Sequence, residues 1–224
     1  MASMHRVTPA RRIPLQTIEA SRRLERTAAA TLPPHTLMQR AGLAVARLAL
    51  ALAPHARTIW IACGPGNNGG DGLEAAMHLQ RWGQHPVVTW LGDEASAPED
   101  ARASLGRARS AGVTFSATPP ASLGPDDLCI DALLGLGAAR APQGRMADWL
   151  RTMRASPAPV LAVDLPSGLN AETGNFAPES IAFDDHSTLG SWQIQAQNTL
   201  SLLSCKPGLF TAHGRDAAGA VWFD

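Results

Sequence analysis

Short, unbroken apolar runs alternate along this chain with longer stretches of helical period. Thr58–Cys63 (TIWIAC), Pro86–Leu91 (PVVTWL), Val113–Phe115, Leu128–Leu133 (LCIDAL) and Val160–Val163 read as strands buried on both faces. Between them, helices are predicted over residues 15–30, 36–53, 71–82, 98–111 and 144–154. In the second of these, Leu37, Ala41, Ala44, Val45 and Leu48 share one face. A last strand is expected at the carboxyl end, in Gly219–Asp224. This alternation predicts an α/β fold with a mostly parallel central sheet covered by helices on both sides. Such sheets bind ligands outside the carboxyl ends of their strands. Three of the predicted strand ends carry polar, glycine-rich loops, at 64–72, 131–141 and 164–168, and their convergence marks a candidate site. Residues 174–197 mix Gly, Asn, Pro, Ser, His and Gln without period and read as a surface loop or a lid.

Composition narrows the function classes. The 224 residues are expected to form one domain over 1–224, able to bury roughly 70% of the surface of the unfolded chain. Hydrophobic residues at 45% and charged residues at 17% exclude intrinsic disorder as the main state. No apolar run approaches the ~20 residues of a membrane span. With 19 basic and 19 acidic residues the chain lacks the basic excess of a nucleic-acid binder. The basic residues are 18 Arg and a single Lys, Lys206, a bias read here as genome composition without functional weight. Cys63, Cys129 and Cys205 have no CxxC spacing and sit in or beside apolar runs, which points to core thiols and a reducing, cytoplasmic location. The Arg-, Ser- and Ala-rich start superficially suggests a transit peptide but reads better as a helix, with Met1-Ala2-Ser3 a cloning remnant ahead of Met4.

The first loop, Gly64-Pro65-Gly66-Asn67-Asn68-Gly69-Gly70-Asp71-Gly72, contains a literal GxGxxG between a strand and a helix, the context for phosphate at a helix N-terminus. A carboxylate at Asp71 repels phosphate unless it caps the helix, meets a cation or holds sugar hydroxyls. The second loop begins at Asp131, an acid inside an apolar strand, costly to bury without donors or a cation. The third, Asp164-Leu165-Pro166-Ser167-Gly168, puts an Asp at a strand end, well placed for acid–base work or for forming a turn. Ser167 lacks the GxSxG elbow of a hydrolase nucleophile.

Together, GPGNNGGDG at 64–72, DALLGLG at 131–137 and DLPSGLNAETG at 164–174 resemble the NAD(P)H-hydrate epimerase family, the YjeF N-terminal domain. LMQRAG at 37–42 and KPGL at 206–209 look like further landmarks, so the resemblance covers about residues 12–223. It implies a three-layer α/β/α Rossmann-like sandwich, usually a homodimer, that interconverts the R and S epimers of hydrated NADH and NADPH. It further implies a substrate pocket lined by Asn67, Asn68, Gly69, Gly70 and Asp71, faced by Gly135, Leu136, Gly137, Ala138, Ala139, Arg140 and Ala141, with Asp164 on the nicotinamide-derived ring. Asn68, Asp131 and Ser167 are implied as ligands of a potassium ion, and Asp164 is the expected acid/base. Bacterial members often continue into an ADP-dependent dehydratase domain, so the expectation is epimerisation without dehydration, partnered by a fused or separate dehydratase.

The chain departs from the pattern at Leu136, where a hydroxyl residue is common, and at Gln39, where an acid is. Ala182–His186 and Ala196–Thr199 compete for the strand after the third loop; the text that follows favours the second, making 182–195 an insertion that closes over the substrate or obstructs it. Two other classes stay open from sequence: a catalytically idle dimeric scaffold, and a dinucleotide oxidoreductase using Asp93 or Glu94 on a ribose.

Overall fold

The computed structural model describes residues 4–137, 140–177 and 191–224. In chain order the elements are β1 (His5–Arg6), α1 (Ile18–Ala29), α2 (Thr36–Leu52), β2 (Ile59–Cys63), α3 (Asn67–Arg81), β3 (Pro86–Trp90), α4 (Glu99–Ser110), β4 (Thr114–Ser116), β5 (Leu128–Ala132), α5 (Arg145–Ala155), β6 (Val160–Val163), β7 (Asn198–Ser201), a 3-10 turn (Pro207–Leu209), α6 (Gly214–Ala217) and β8 (Ala220–Phe223). They form one eight-stranded sheet of order β1-β8-β7-β6-β5-β2-β3-β4. Every pairing is parallel except β1 with β8. From β2 the chain winds to β3 and β4 on one side, then returns through β5 to β6, β7 and β8 on the other. The reversal between β2 and β5 is the topological switch point, where an α/β sheet opens a crevice.

The strands are continuously apolar because both faces are covered. Ile59, Ile61 and Cys63 pack with Ala44, Val45, Leu48, Leu73, Leu79 and Leu105 of α2, α3 and α4. Trp60 and Ala62 pack with Trp149, Leu150 and Met153 of α5 on the opposite face. Ala44, Val45 and Leu48 of the predicted α2 face are therefore spent in the chain's own core. Trp192 and Ile194 join the α5 face at 2% and 0% exposure, so the end of the predicted insertion is core; residues 182–190 lie outside the described residues. The strand after the third loop is β7, the second of the two competing segments.

The largest boundary difference from expectation is at α3. Helix α3 starts at Asn67, with Gly66 as N-cap, four residues before the predicted Asp71. Gly69 and Gly70 are poor helix formers, but tertiary packing decides here. A Cβ on Gly69 would lie 2.0 Å from Gly64 O, and one on Gly72 would lie 2.7 Å from Ala132 Cβ and 2.8 Å from Cys63 Sγ. The glycines let the helix lie directly on the ends of β2 and β5. No helix among the described residues is long and apolar enough to cross a membrane.

Candidate active site

The three loops do converge, at the switch point and its neighbour β6. Asp131 is the fourth residue of β5 and fully buried. Its Oδ1 accepts from Ser167 Oγ at 2.6 Å and Leu133 N at 3.2 Å, and its Oδ2 from Ser167 N at 2.8 Å. Burial pushes its carboxyl up from the usual range, while the Ser167 and Leu133 hydrogen bonds pull it back. Ser167 Oγ also accepts from Leu134 N at 2.8 Å, so Asp131 and Ser167 clip the loops after β5 and β6 together. Gly135, next in that loop, approaches Asn68: a Cβ there would sit 3.1 Å from Asn68 Oδ1. The Asn68 Nδ2 is buried and has no hydrogen-bond partner among the described residues.

Asp71 is not a helix cap. It lies in the second turn of α3, and no side-chain cap exists at the helix start. Burial first, then the negative charges of Asp164, Glu25 and Glu74, push its carboxyl well above the usual range, with Lys206 opposing. Asp71 is thus biased toward its protonated form.

Asp164 is 8% exposed and follows β6 directly. Its φ of +68° is left-handed backbone, which Asp tolerates better than most residues and which marks a locally strained site. Its N–H donates to Leu200 O at 2.8 Å, holding the turn to β7. Oδ1 accepts from Leu202 N at 3.2 Å and from the Lys206 ammonium. Lys206 is the functional residue that motif reading did not place in the site.

The rest of the predicted pocket is distributed around this centre. Asn67 is exposed on the first turn of α3, and Gly69 and Gly70 are buried beneath it. Leu136 packs against the small apolar cluster of Leu165, Leu169 and Leu209, so apolar contact replaces the missing hydroxyl. Gly137 and Arg140 are exposed and Ala141 partly buried; Ala138 and Ala139 lie outside the described residues. Trp192, which sequence reading left in an insertion, closes the far side: a Cβ on Gly168 would meet its ring at 2.4 Å, and Phe176 meets it edge-on at 5.7 Å.

Among the described residues no group of three or more His, Cys, Asp or Glu is placed to hold a metal ion. The side-chain oxygens of Asn68, Asp131 and Ser167, with one formal negative charge between them, are of the kind a hard, weakly charged cation takes; the unpartnered Asn68 Nδ2 is a donor and adds nothing to such a site.

The sequence family described as "YjeF-related protein N-terminus" matches residues 34–208. The chain is 37% identical over 192 residues to the bifunctional NAD(P)H-hydrate repair enzyme Nnr of Escherichia coli (strain K12), covering 85% of this chain and 34% of that protein. It is 35% identical over 190 residues to the NAD(P)H-hydrate epimerase of Limosilactobacillus fermentum, covering 85% of each. It thus spans about a third of the length of the bifunctional relatives and most of the length of the stand-alone one. In fold it is similar to the crystal structure of yeast ynu0 (YNL200c), with a TM-score of 0.69 at 20% identity over 88% of this chain and 83% of the yeast one.

Proposed function

The chain belongs to the YjeF-related N-terminal family, and from that premise we propose that it is an isomerase that interconverts the R and S epimers of hydrated NADH and NADPH. The observation that carries this reading is the convergence at the sheet's carboxyl edge of the buried Asp131–Ser167 clip with Asp164, a nearly buried carboxyl group anchored by Lys206. The names of the relatives at 35% and 37% identity support the substrate class. The glycine-rich start of α3 supports a dinucleotide, since unpaired N–H groups at a helix N-terminus suit a phosphate.

The hydrated carbon of the ring carries a hydroxyl and adjoins the ring nitrogen. Inverting it requires one bond there to break and re-form. In our reading, Asp71 gives its proton to the departing hydroxyl, which leaves as water while the nitrogen lone pair forms the C=N bond. A water then adds to the opposite face and yields its proton to Asp164, and net water is unchanged. Proton return from Asp164 to Asp71 resets the site. An acid and a base with separated proton affinities are what this exchange needs near neutral pH. The rate should fall as pH rises through the raised pKa of Asp71, because the acid is lost. Asp71→Asn should slow the reaction by about 10²–10⁴-fold and remove that basic limb from the profile of kcat/KM against pH. A limb that persists in Asp71→Asn would assign it to another group.

Asn68, Asp131 and Ser167 would hold a potassium ion, which when bound would fix the loops after β5 and β6 and offset the Asp131 charge. Potassium chloride at 100-fold over its dissociation constant should then stabilise the fold by about 2.7 kcal/mol. The readout is a thermal melt against sodium chloride of equal ionic strength. Asp131→Asn should abolish the difference; an equal response to both salts would remove the ion from the account.

We further read the protein as a cytoplasmic homodimer working with an ADP-dependent dehydratase, fused or separate. Three buried, unpaired thiols suit a reducing compartment. Arg47, Leu50 and Ala51 of α2, with Trp82 at the end of α3, line a hollow on the surface. Purified R epimer incubated with the protein should yield the S epimer by chromatography; absence of S would remove the epimerase reading.

A further inference from the structure

Lys206 is the single lysine in a chain with 18 arginines, and it is 1% exposed. Its ammonium donates to Asp164 Oδ1, to Leu202 O at 2.8 Å and to Ser201 Oγ at 3.4 Å. Those are three acceptors for the three protons of an ammonium. The turn that supplies them is closed and pinned from outside. Ser201 Oγ donates to Ser204 O at 2.8 Å, and Ser204 Oγ meets Ser21 Oγ of α1 at 2.7 Å. Gln16 N reaches Cys205 O at 2.8 Å, so the segment before α1 also holds the turn. A guanidinium presents five donors in a rigid planar fork, two more than the three acceptors that meet the ammonium here. That accounts for lysine at this one position of an arginine-dominated chain.

On Asp164 both contacts fall on one oxygen. Oδ1 takes Lys206 Nζ and Leu202 N, while Oδ2 accepts no hydrogen bond among the described residues. We propose that Lys206 is a positioning residue, whose ammonium locks Oδ1 of Asp164 in the 201–206 turn and leaves Oδ2 as the oxygen that meets the substrate. This deepens the proposed function and rests on Asp164 handling the proton there. The carboxylate is held from behind, by a group that never touches the reacting atoms.

Lys206→Met keeps the length and apolar stem of the side chain and removes the charge. Its kcat should fall about 10- to 100-fold, the cost of a catalytic group displaced by about an ångström, with KM within about threefold of the parent. Lys206→Arg should not restore the rate. A folded Lys206→Met with parental kcat, or full rescue by Arg, would overturn the assignment. A second readout does not depend on turnover. With one lysine in the chain, ε-¹⁵N-lysine labelling gives a single side-chain ammonium resonance. Asp164→Asn should shift that resonance and speed its proton exchange; an unchanged signal overturns the pairing. If the parent fails to epimerise, the proposed function falls while this resonance still decides the role of Lys206. If Lys206→Met does not fold, the resonance decides alone.

Discussion

Replacing Asp164 by Asn is expected to lower kcat by about 10²–10⁴-fold in a protein that remains folded. Asn is the informative choice because the residue sits at a φ of +68°, which Asn accepts and β-branched residues do not. The amide oxygen can still take the Leu202 N–H and one proton of Lys206, so the cage around the ammonium loses charge and not all of its acceptors. Removing one partner of a buried ion pair typically costs about 3–5 kcal/mol; the retained acceptors should keep the loss below that. Circular dichroism and a thermal melt run with the kinetics separate the two effects. A parental rate in folded Asp164→Asn would take Asp164 out of the chemistry.

The second large effect is on the scaffold of the site. Gly64 directly follows β2, and a Cβ there would stand 1.9 Å from Leu133 O and 2.8 Å from Leu133 C. Both are backbone atoms, and Gly64 N is itself bonded to Ala132 O at 3.0 Å. No rotamer change relieves such a clash, so β2 and β5 must part. Gly64→Ala should therefore destabilise by about 3 kcal/mol and reduce activity, since Leu133 leads directly to Gly135 beside Asn68. Gly106→Ala is the control: its Cβ would meet nothing within 4 Å inside α4, and it should stabilise by about 0.5–1 kcal/mol. Urea titration measures both. Gly64→Ala within about 0.5 kcal/mol of the parent would contradict the packing account.

These two residues also show what could be read from the sequence. The central strands were legible because each is a short apolar run buried on both faces, and their carboxyl-end loops were legible because Asp and Gly interrupt them there. The two-residue β1, joined antiparallel to β8, carries no pattern of its own. Asn67 to Gly70 read as a loop from propensity, whereas contact with Gly64, Met38 and Ala101 makes them helix. Asp131 was recognisable as a costly buried acid, but its donors on Ser167 come from 36 residues away. Trp192 was hidden because its stretch has no period and its partners, Gly168 and Phe176, lie in another loop. Lys206 carries its signal in composition and not in a motif. A composition that replaces lysine by arginine almost everywhere makes the one remaining lysine informative, since the bias itself supplies no reason to retain it.

The central claim is that the crevice between these loops inverts the hydrated carbon. Its most direct test supplies mixed R and S epimers of hydrated NADPH with a dehydratase that consumes only the S form. With this protein added, the R epimer should disappear along with the S. An R fraction that persists unchanged, with the protein folded and potassium present, would contradict the account and leave a dimeric scaffold in its place.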